Sequence, residues 1–311
     1  MFPTFSSGTN KEYDMKKIFV VGSLNMDLVI RVAKMPRAGE TVTGGDFMTN
    51  SGGKGANQAV AVSKLGGKAY MVGCVGREFG AELIGALDGY GVNTKYVRRL
   101  DDVSSGIAVI TVENGDNRII LDRAANGRID RALIDDALSE AGEGDYLMLQ
   151  LEIALDIVEY ALKKGKEKGM VTMLNPAPAA ELPPEVFSLC DYFTPNQSEA
   201  EFYTGVYPKD EESAKKCAEI LAGKGVKNLV VTMGSEGSAS VTDGVFRKVE
   251  ANKVKVVDTT AAGDTYVGAL AVKLGEGADI EEAMIFAGKA SAITVTRKGA
   301  QQAVPTRDEV E

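Results

Sequence analysis

Six short apolar runs limit what this chain can fold into: Ile18–Gly22, Ala69–Gly73, Tyr146–Leu151, Met170–Leu174, Asp191–Thr194 and Leu229–Thr232. Continuous apolar runs of this length, ending in Gly or a polar residue, are expected of strands buried on both faces of a parallel sheet. Helical patterns stand between them, over residues 51–65, 82–87, 156–168 and 213–222, and another follows the last run at 280–292. Strand and helix therefore alternate, and an α/β fold with a mostly parallel central sheet follows. No internal repeat and no low-complexity linker interrupts it.

Two stretches break the alternation. Residues 28–50 alternate apolar and polar (Leu28, Ile30, Val32; Thr41, Val42, Thr43) and carry Pro36 and several glycines. They read as small antiparallel strands. Gly106–Val112 and Arg118–Leu121 flank Asn114-Gly115, a strong hairpin signal. Together they predict a second small sheet standing off the main one as a lid, with strands from about 25–50 and 103–123. The alternation Ile107, Val109 and Ile119, Leu121 needs cover from a ligand, its own domain or a partner subunit.

The stretch Val256-Val257-Asp258-Thr259-Thr260-Ala261-Ala262-Gly263-Asp264-Thr265 is the most suggestive of chemistry. Val254, Val256 and Val257 read as a strand, and Tyr266 to Leu274 as a helix. Side-chain-poor backbone at a helix start leaves N–H groups unpaired, and the helix dipole makes the place suit an anion. Asp264 on the rim of such a site repels a phosphate, so it is better understood as a base for an attacking hydroxyl. The competing reading is a plain turn, with Asp258 opening it and Asp264 as N-cap.

Other polar residues fall at strand ends. Asn25 and Asp27, two apart, project to one side of an extended segment and could bracket the hydroxyls of a polyol, or serve a turn. Gly52 and Gly53 allow close backbone approach, with Lys54 and Asn57 entering the following helix. Glu152 ends one strand. Asn196 and Glu199, three apart, match a capping box. Thr232, Gly234, Ser235 and Gly237 close another strand. In a parallel sheet these C-terminal ends share one edge, where ligands bind. There is no G-x-x-x-x-G-K-[ST] loop and no G-x-G-x-x-G.

Composition removes several classes. The chain has 311 residues, no histidine and no tryptophan. Ser-His-Asp and Cys-His machinery is thereby excluded, and acid–base work falls to Asp, Glu, Lys, Tyr or Cys. A net charge of −9 without a basic run disfavours nucleic acid. Three cysteines without C-x-x-C spacing argue against zinc and a disulfide framework, and fit a reducing, cytoplasmic setting. No apolar run approaches a membrane span. Residues 1–14 are polar and read as a disordered extension or an expression scar, with 15–311 as one domain.

Together these residues resemble the ribokinase family of carbohydrate kinases, also called the PfkB family, over residues 17–307. The carriers are Ser51-Gly52-Gly53-Lys54-Gly55-Ala56-Asn57-Gln58-Ala59 and, about 200 residues later, Asp258-Thr259-Thr260-Ala261-Ala262-Gly263-Asp264. Gly22-Ser23-Leu24-Asn25-Met26-Asp27, Leu149-Gln150-Leu151-Glu152, Asn175-Pro176-Ala177-Pro178 and Thr296-Arg297-Lys298-Gly299-Ala300-Gln301 narrow it to the ribokinase branch. The resemblance implies a three-layer α/β/α fold with a small antiparallel β lid. It implies ATP-dependent phosphorylation of the 5-hydroxyl of D-ribose, with Asp264 as base and an anion hole at Ala261, Ala262 and Gly263. Asn25, Asp27, Gly52, Gly53, Lys54, Asn57 and Glu152 would hold the sugar. Asn196, Thr232, Gly234, Ser235, Gly237, Gly263 and Gly288 would lie along the nucleotide. Glu199 would act indirectly on magnesium. A potassium ion would be held by Asp258 and by oxygens at Thr260, Thr294, Arg297, Gly299 and Ala303.

Two departures matter. Many relatives have Gly where this chain has Ala261, though ribokinases often carry Ala. At Gly288 many relatives place a residue that touches adenine, which leaves the base preference open. The sugar residues include no Arg, so a sugar acid is disfavoured. Gly106–Val112 holds no aromatic residue, so a nucleoside is disfavoured too. A neutral pentose fits best, with fructose or another ketose as alternatives. A non-catalytic sugar sensor and a glycosidase built on Asp27 and Glu152 are rivals from other classes. A homodimer through the lid is expected.

Overall fold

A computed structural model describes residues 15–114 and 116–311. The expected extension, residues 1–14, and Gly115 of the hairpin turn lie outside the described residues. Strands β1 (Lys17–Val21), β2 (Asn25–Val32) and β3 (Gly44–Gly52) lead into α1 (Lys54–Lys64) and β4 (Lys68–Val75). Then come α2 (Gly80–Gly89), β5 (Asn93–Arg99), β6 (Gly106–Glu113), β7 (Asp116–Asp122), α3 (Arg131–Ser139) and β8 (Tyr146–Leu149). Next are α4 (Leu155–Glu167), β9 (Val171–Leu174), α5 (Pro184–Ser188), β10 (Tyr192–Phe193), α6 (Gln197–Thr204), α7 (Glu211–Gly223) and β11 (Asn228–Thr232). The last are β12 (Ser238–Thr242), β13 (Val245–Val249), α8 (Ala262–Gly275), α9 (Ile280–Thr294) and α10 (Arg307–Val310).

The main sheet runs β13-β12-β11-β10-β9-β8-β1-β4-β5. Every pair from β11 to β5 is parallel, and the two antiparallel pairs, β11–β12 and β12–β13, lie together at one edge. Alternation along β1 sends Ile18 and Val20 into a core shared with α1, α8 and α9. Phe19 and Val21 enter a second core on the other face, shared with α3, α4 and α7. Each fully buried side chain of this kind contributes about 1.5–3 kcal/mol. The three layers are thus a consequence of strands apolar on both sides.

The small sheet runs β3-β2-β6-β7, two antiparallel hairpin pairs joined by a parallel β2–β6 seam. Asn114 takes the left-handed conformation at the hairpin turn, as a tight β-turn requires. The register separates the apolar residues expected on one face. Val109 lies opposite Ile120, whereas Ile119 and Leu121 lie opposite Ile110 and Ala108. Both faces of the lid are therefore apolar.

Three local expectations need correction. Thr41–Thr43 is not a strand; β3 starts at Gly44. Val254–Val257 is not a strand either. Val254, Val256 and Val257 are exposed, and the N–H groups of Val257 and Asp258 both reach the Val295 carbonyl instead. Asp264 is not the N-cap of α8. That place belongs to Ala261, in a left-handed conformation (φ 59°, ψ 8°), so the helix opens three residues earlier. The β12–β13 hairpin was not expected, although Asp243-Gly244 between its strands is a turn signal, and both residues have positive φ.

Candidate active site

The start of α8 has no side-chain cap. The Ala262 N–H turns back to the Thr259 carbonyl at 3.2 Å. Among the described residues, the N–H groups of Ala261, Gly263 and Asp264 find no acceptor. A Cβ on Gly263 would meet open space, so that side of the turn is accessible. Unpaired N–H groups at a helix start make an anion site. Of the three residues expected to form it, Ala262 has its N–H engaged within the turn.

Asp264 lies in the first turn of α8, buried at 6% exposure. Its Oδ2 accepts from Asn57 Nδ2 at 2.9 Å and its Oδ1 from Gln58 Nε2 at 3.2 Å. Both partners sit on α1. The two helices can come this close because Gly268 has no side chain: a Cβ there would lie 2.7 Å from that of Ala61 and 3.0 Å from the Gln58 carbonyl.

A second cluster gathers on Glu152, just past β8. Its Oε2 accepts from Ser23 Oγ at 2.6 Å, from the Lys54 backbone N–H at 3.1 Å and from Asn25 Nδ2 at 3.4 Å. Asn126 fixes Asn25: its Nδ2 donates to Asn25 Oδ1 at 2.7 Å while its Oδ1 accepts from the Leu24 N–H at 2.9 Å. Gly53 has φ 91°, and a Cβ there would press on Asn25 N and the Ser23 carbonyl, each 2.8 Å away. Asn25, Leu121, Asn126 and Glu152 line one cavity, so the Leu121 face of the lid looks onto this cluster.

Electrostatics tie the clusters together. Burial pushes Asp27 up to about 7, with Glu152 and Asp264 adding to it. Burial works against the Lys54 ammonium, but Asp264, Glu152 and Glu199 outweigh it and hold its pKa above the ordinary value. Burial raises Glu199, against the Asn196 N–H and Lys54. One cation among four carboxylates suits neutral hydroxyls, with room for a second positive charge.

Among the residues expected along the nucleotide, Asn196 forms the capping box of α6 with Glu199, with both bonds at 2.8 Å. Asn196 bridges in parallel to Thr232 at the end of β11. Gly234, Ser235 and Glu236 make a 3-10 turn that closes at Gly237 (φ 92°). Gly288 lies on α9 with only Asn252 near it. At the expected cation site, Asp258 Oδ1 accepts from Thr260 N–H and Oγ1, and Oδ2 from the Gly299 N–H at 3.0 Å. Burial opposes the Asp258 charge, but these donors outweigh it and hold its pKa low. The Thr294 carbonyl accepts from Arg297 N–H, and Ala303 closes on Ala300. A separate cavity of about 230 Å³, between α7 and β11–β12, is lined by none of the expected residues.

Sequence reasoning gave no role to Ser23, Gln58, Asn126, Gln150 or Asn175. Gln58, Gln150 and Asn175 lay inside quoted motifs and could have been found there. Asn126 had no local signal.

A family model described as pfkB family carbohydrate kinase matches residues 15–307. A ribokinase of Schizosaccharomyces pombe is 41% identical over 309 residues, covering 96% of this chain and 97% of its own. A deoxyribokinase of Salmonella typhi is 38% identical over 292 residues, covering 93% and 95%. The structure of Arabidopsis thaliana ribokinase complexed with ribose and ATP matches with a TM-score of 0.88 at 33% identity, covering 95% of this chain and 97% of that one. With a matched segment spanning nearly the whole chain and a fold to suit it, the chain belongs to the pfkB family of carbohydrate kinases.

Proposed function

We propose that this chain, with residues 15–311 acting as one domain, transfers the γ-phosphoryl group of ATP to the 5-hydroxyl of D-ribose. The observation that carries the reading is the meeting of Asp264 with the free N–H groups of Ala261 and Gly263 at one helix start. Phosphoryl transfer needs positioning and charge neutralisation more than covalent chemistry. Asn25, Asp27, Lys54, Asn57 and Glu152 orient the sugar, with Gly52 and Gly53 giving it room. Asp264 accepts the hydroxyl proton as the oxygen attacks. The N–H groups take up charge on the transferring group. Asn196, Thr232, Gly234, Ser235, Gly237 and Gly288 flank the nucleotide.

Two metals fit the residues present. No group of three or more acidic or thiol ligands occurs among the described residues. Magnesium, which keeps waters and leans on substrate phosphates, needs no such cage. Glu199 would hold it through water, and the ion would supply charge neutralisation. Potassium suits the all-oxygen set of Asp258 with the carbonyls of Thr260, Thr294, Arg297, Gly299 and Ala303, and would stabilise the loop behind the anion hole. Cytoplasmic location agrees with three free, buried cysteines. A homodimer through the lid is supported by Val109 and Ile120, exposed on the face turned from Leu121.

A second reading has a specific basis: the deoxyribokinase relative is nearly as similar as the ribokinase. 2-Deoxyribose is therefore the competing substrate. ADP production with magnesium and potassium, across ribose, 2-deoxyribose, fructose and adenosine, tests the proposal. Ribose-dependent turnover that falls roughly 10²–10⁴-fold in Asp264→Asn supports it. Turnover only with another acceptor moves the substrate. A folded Asp264→Asn keeping more than about a tenth of the rate sinks the base assignment.

A further inference from the structure

Behind Asp264 lies a chain of buried amides without a single ionisable member. Gln58 Nε2 donates to Asp264 Oδ1 at 3.2 Å and to Asn175 Oδ1 at 3.1 Å. Gln58 Oε1 accepts from Gln150 Nε2 at 2.6 Å. Asn175 Nδ2 donates to the Thr194 carbonyl at 2.8 Å. Gln58, Gln150 and Asn175 are all buried, and Gln150 Oε1 has no partner among the described residues. Gly22 leaves the space for that oxygen, since a Cβ there would collide with it.

The direction of every bond follows from one backbone atom. A carbonyl can only accept, so Thr194 O fixes which end of Asn175 faces it. Asn175 then presents oxygen to Gln58, which must answer with its NH2 group. The same NH2 group has a second hydrogen, and it points at Asp264. Gln58 thereby turns its oxygen to Gln150, which must donate. Flipping any amide would set oxygen against oxygen in a buried place, at the cost of an unpaired buried polar group.

We propose that Gln58, oriented by Gln150 and Asn175, is a positioning residue that holds the Asp264 carboxylate at one rotation for proton transfer. It occupies Oδ1 and so leaves Oδ2, shared with Asn57, as the oxygen that faces the hydroxyl. This rests on the reading of Asp264 as base. A proton acceptor displaced by a fraction of an ångström loses rate without losing substrate affinity, which separates positioning from binding.

The test compares kcat, KM for both substrates and melting temperature in four variants. Gln58→Met removes both donors and is expected to lower kcat about 10–100-fold with KM within about threefold. Gln150→Met offers Gln58 no donor at any pH, and is expected to lower kcat by a similar factor although it touches no substrate. Asn175→Asp still accepts from Gln58 but sets a carboxylate oxygen against the Thr194 carbonyl, so it is expected to lower the melting temperature while keeping kcat within about threefold. Asp264→Asn is the reference. A structural role would instead rank the three amide variants by melting temperature, or raise KM along with the fall in kcat, and either result overturns the proposal. Collapse in Asp264→Asn with full kcat in Gln58→Met overturns the relay and leaves the base assignment standing. Full kcat in Asp264→Asn removes both.

Discussion

A Cβ on Gly52 would overlap the Asp27 carboxylate, lying 2.8 Å from its Oδ1 and Cγ and nearer still to Oδ2. Gly52 closes β3 directly opposite Asn25, so the clash cannot be relieved by moving the strand without breaking the lid. Asp27 must rotate instead. Gly52→Ala is therefore expected to raise sugar KM more than about tenfold, since a misplaced hydrogen-bonding carboxylate costs about 1.5–3 kcal/mol. ATP KM should stay unchanged. Steady-state kinetics with each substrate varied in turn checks this, and equal rises in both constants would mean general damage.

With Asp27 proposed to hold the sugar, its raised pKa is expected to make sugar binding depend on pH. Burial is the main cause of its rise from 3.8 to about 7, with Glu152 and Asp264 adding repulsion. The folded chain thus keeps a proton that the unfolded chain has lost between those values. Stability from this group is greatest below pH 3.8 and falls as pH climbs to about 7. Sugar affinity runs the other way, because only the ionised carboxylate accepts two hydroxyl protons. Titration calorimetry should show the sugar binding more tightly as pH rises from about 6 to 8. Asp27→Asn should bind weakly and without that slope.

The parallel sheet was legible because its strands are apolar on both faces, as Ile18 to Val21 show by dividing between two cores. The strand ends carried the polar residues that meet at Asp264 and Glu152. What sequence could not give was pairing at long range. Val254, Val256 and Val257 have the composition of a strand but no edge to join, and β-propensity without a partner does not make one. Asn126 acts on Asn25 across 101 positions, and no local pattern marks it. The lid alternation was readable residue by residue. Its division into two faces depends on the β6–β7 register, which sets Val109 against Ile120.

Ala261 is a strained residue at the place proposed to supply an anion contact from its backbone. Its φ of 59° is left-handed, a conformation that costs a residue with a Cβ roughly 1–2 kcal/mol. Ala261→Gly removes that cost and adds unfolded-chain entropy of about 0.4–1 kcal/mol. The expected net change in stability is between zero and about +1.5 kcal/mol, with kcat within twofold of the parent. Ala261→Val adds branching that the left-handed region tolerates poorly, and should lower both stability and kcat. Thermal melts read alongside turnover distinguish the two. A Gly variant that melts well below the parent would mean that the Ala261 methyl packs usefully.

Asp258 pins two segments that are far apart in sequence. One oxygen takes the Thr260 N–H and hydroxyl, and the other takes the Gly299 N–H across 41 positions. Its low pKa means that these donors favour the charged form despite burial, so the carboxylate keeps a full negative charge near the carbonyls expected to face potassium. Asp258→Ala removes both the pin and the charge. The wild-type chain should turn over faster in potassium than in lithium, whose smaller ion grips water more tightly and fits a wide carbonyl set poorly. The variant should lose that difference and most of its kcat, while ATP and sugar still bind. Asp258→Asn keeps an acceptor for Gly299 but not the charge, so it should hold the loop better than Ala without restoring the potassium response. Equal rates for the wild-type chain in the two salts would show that the Asp258 pocket does its work through hydrogen bonds alone.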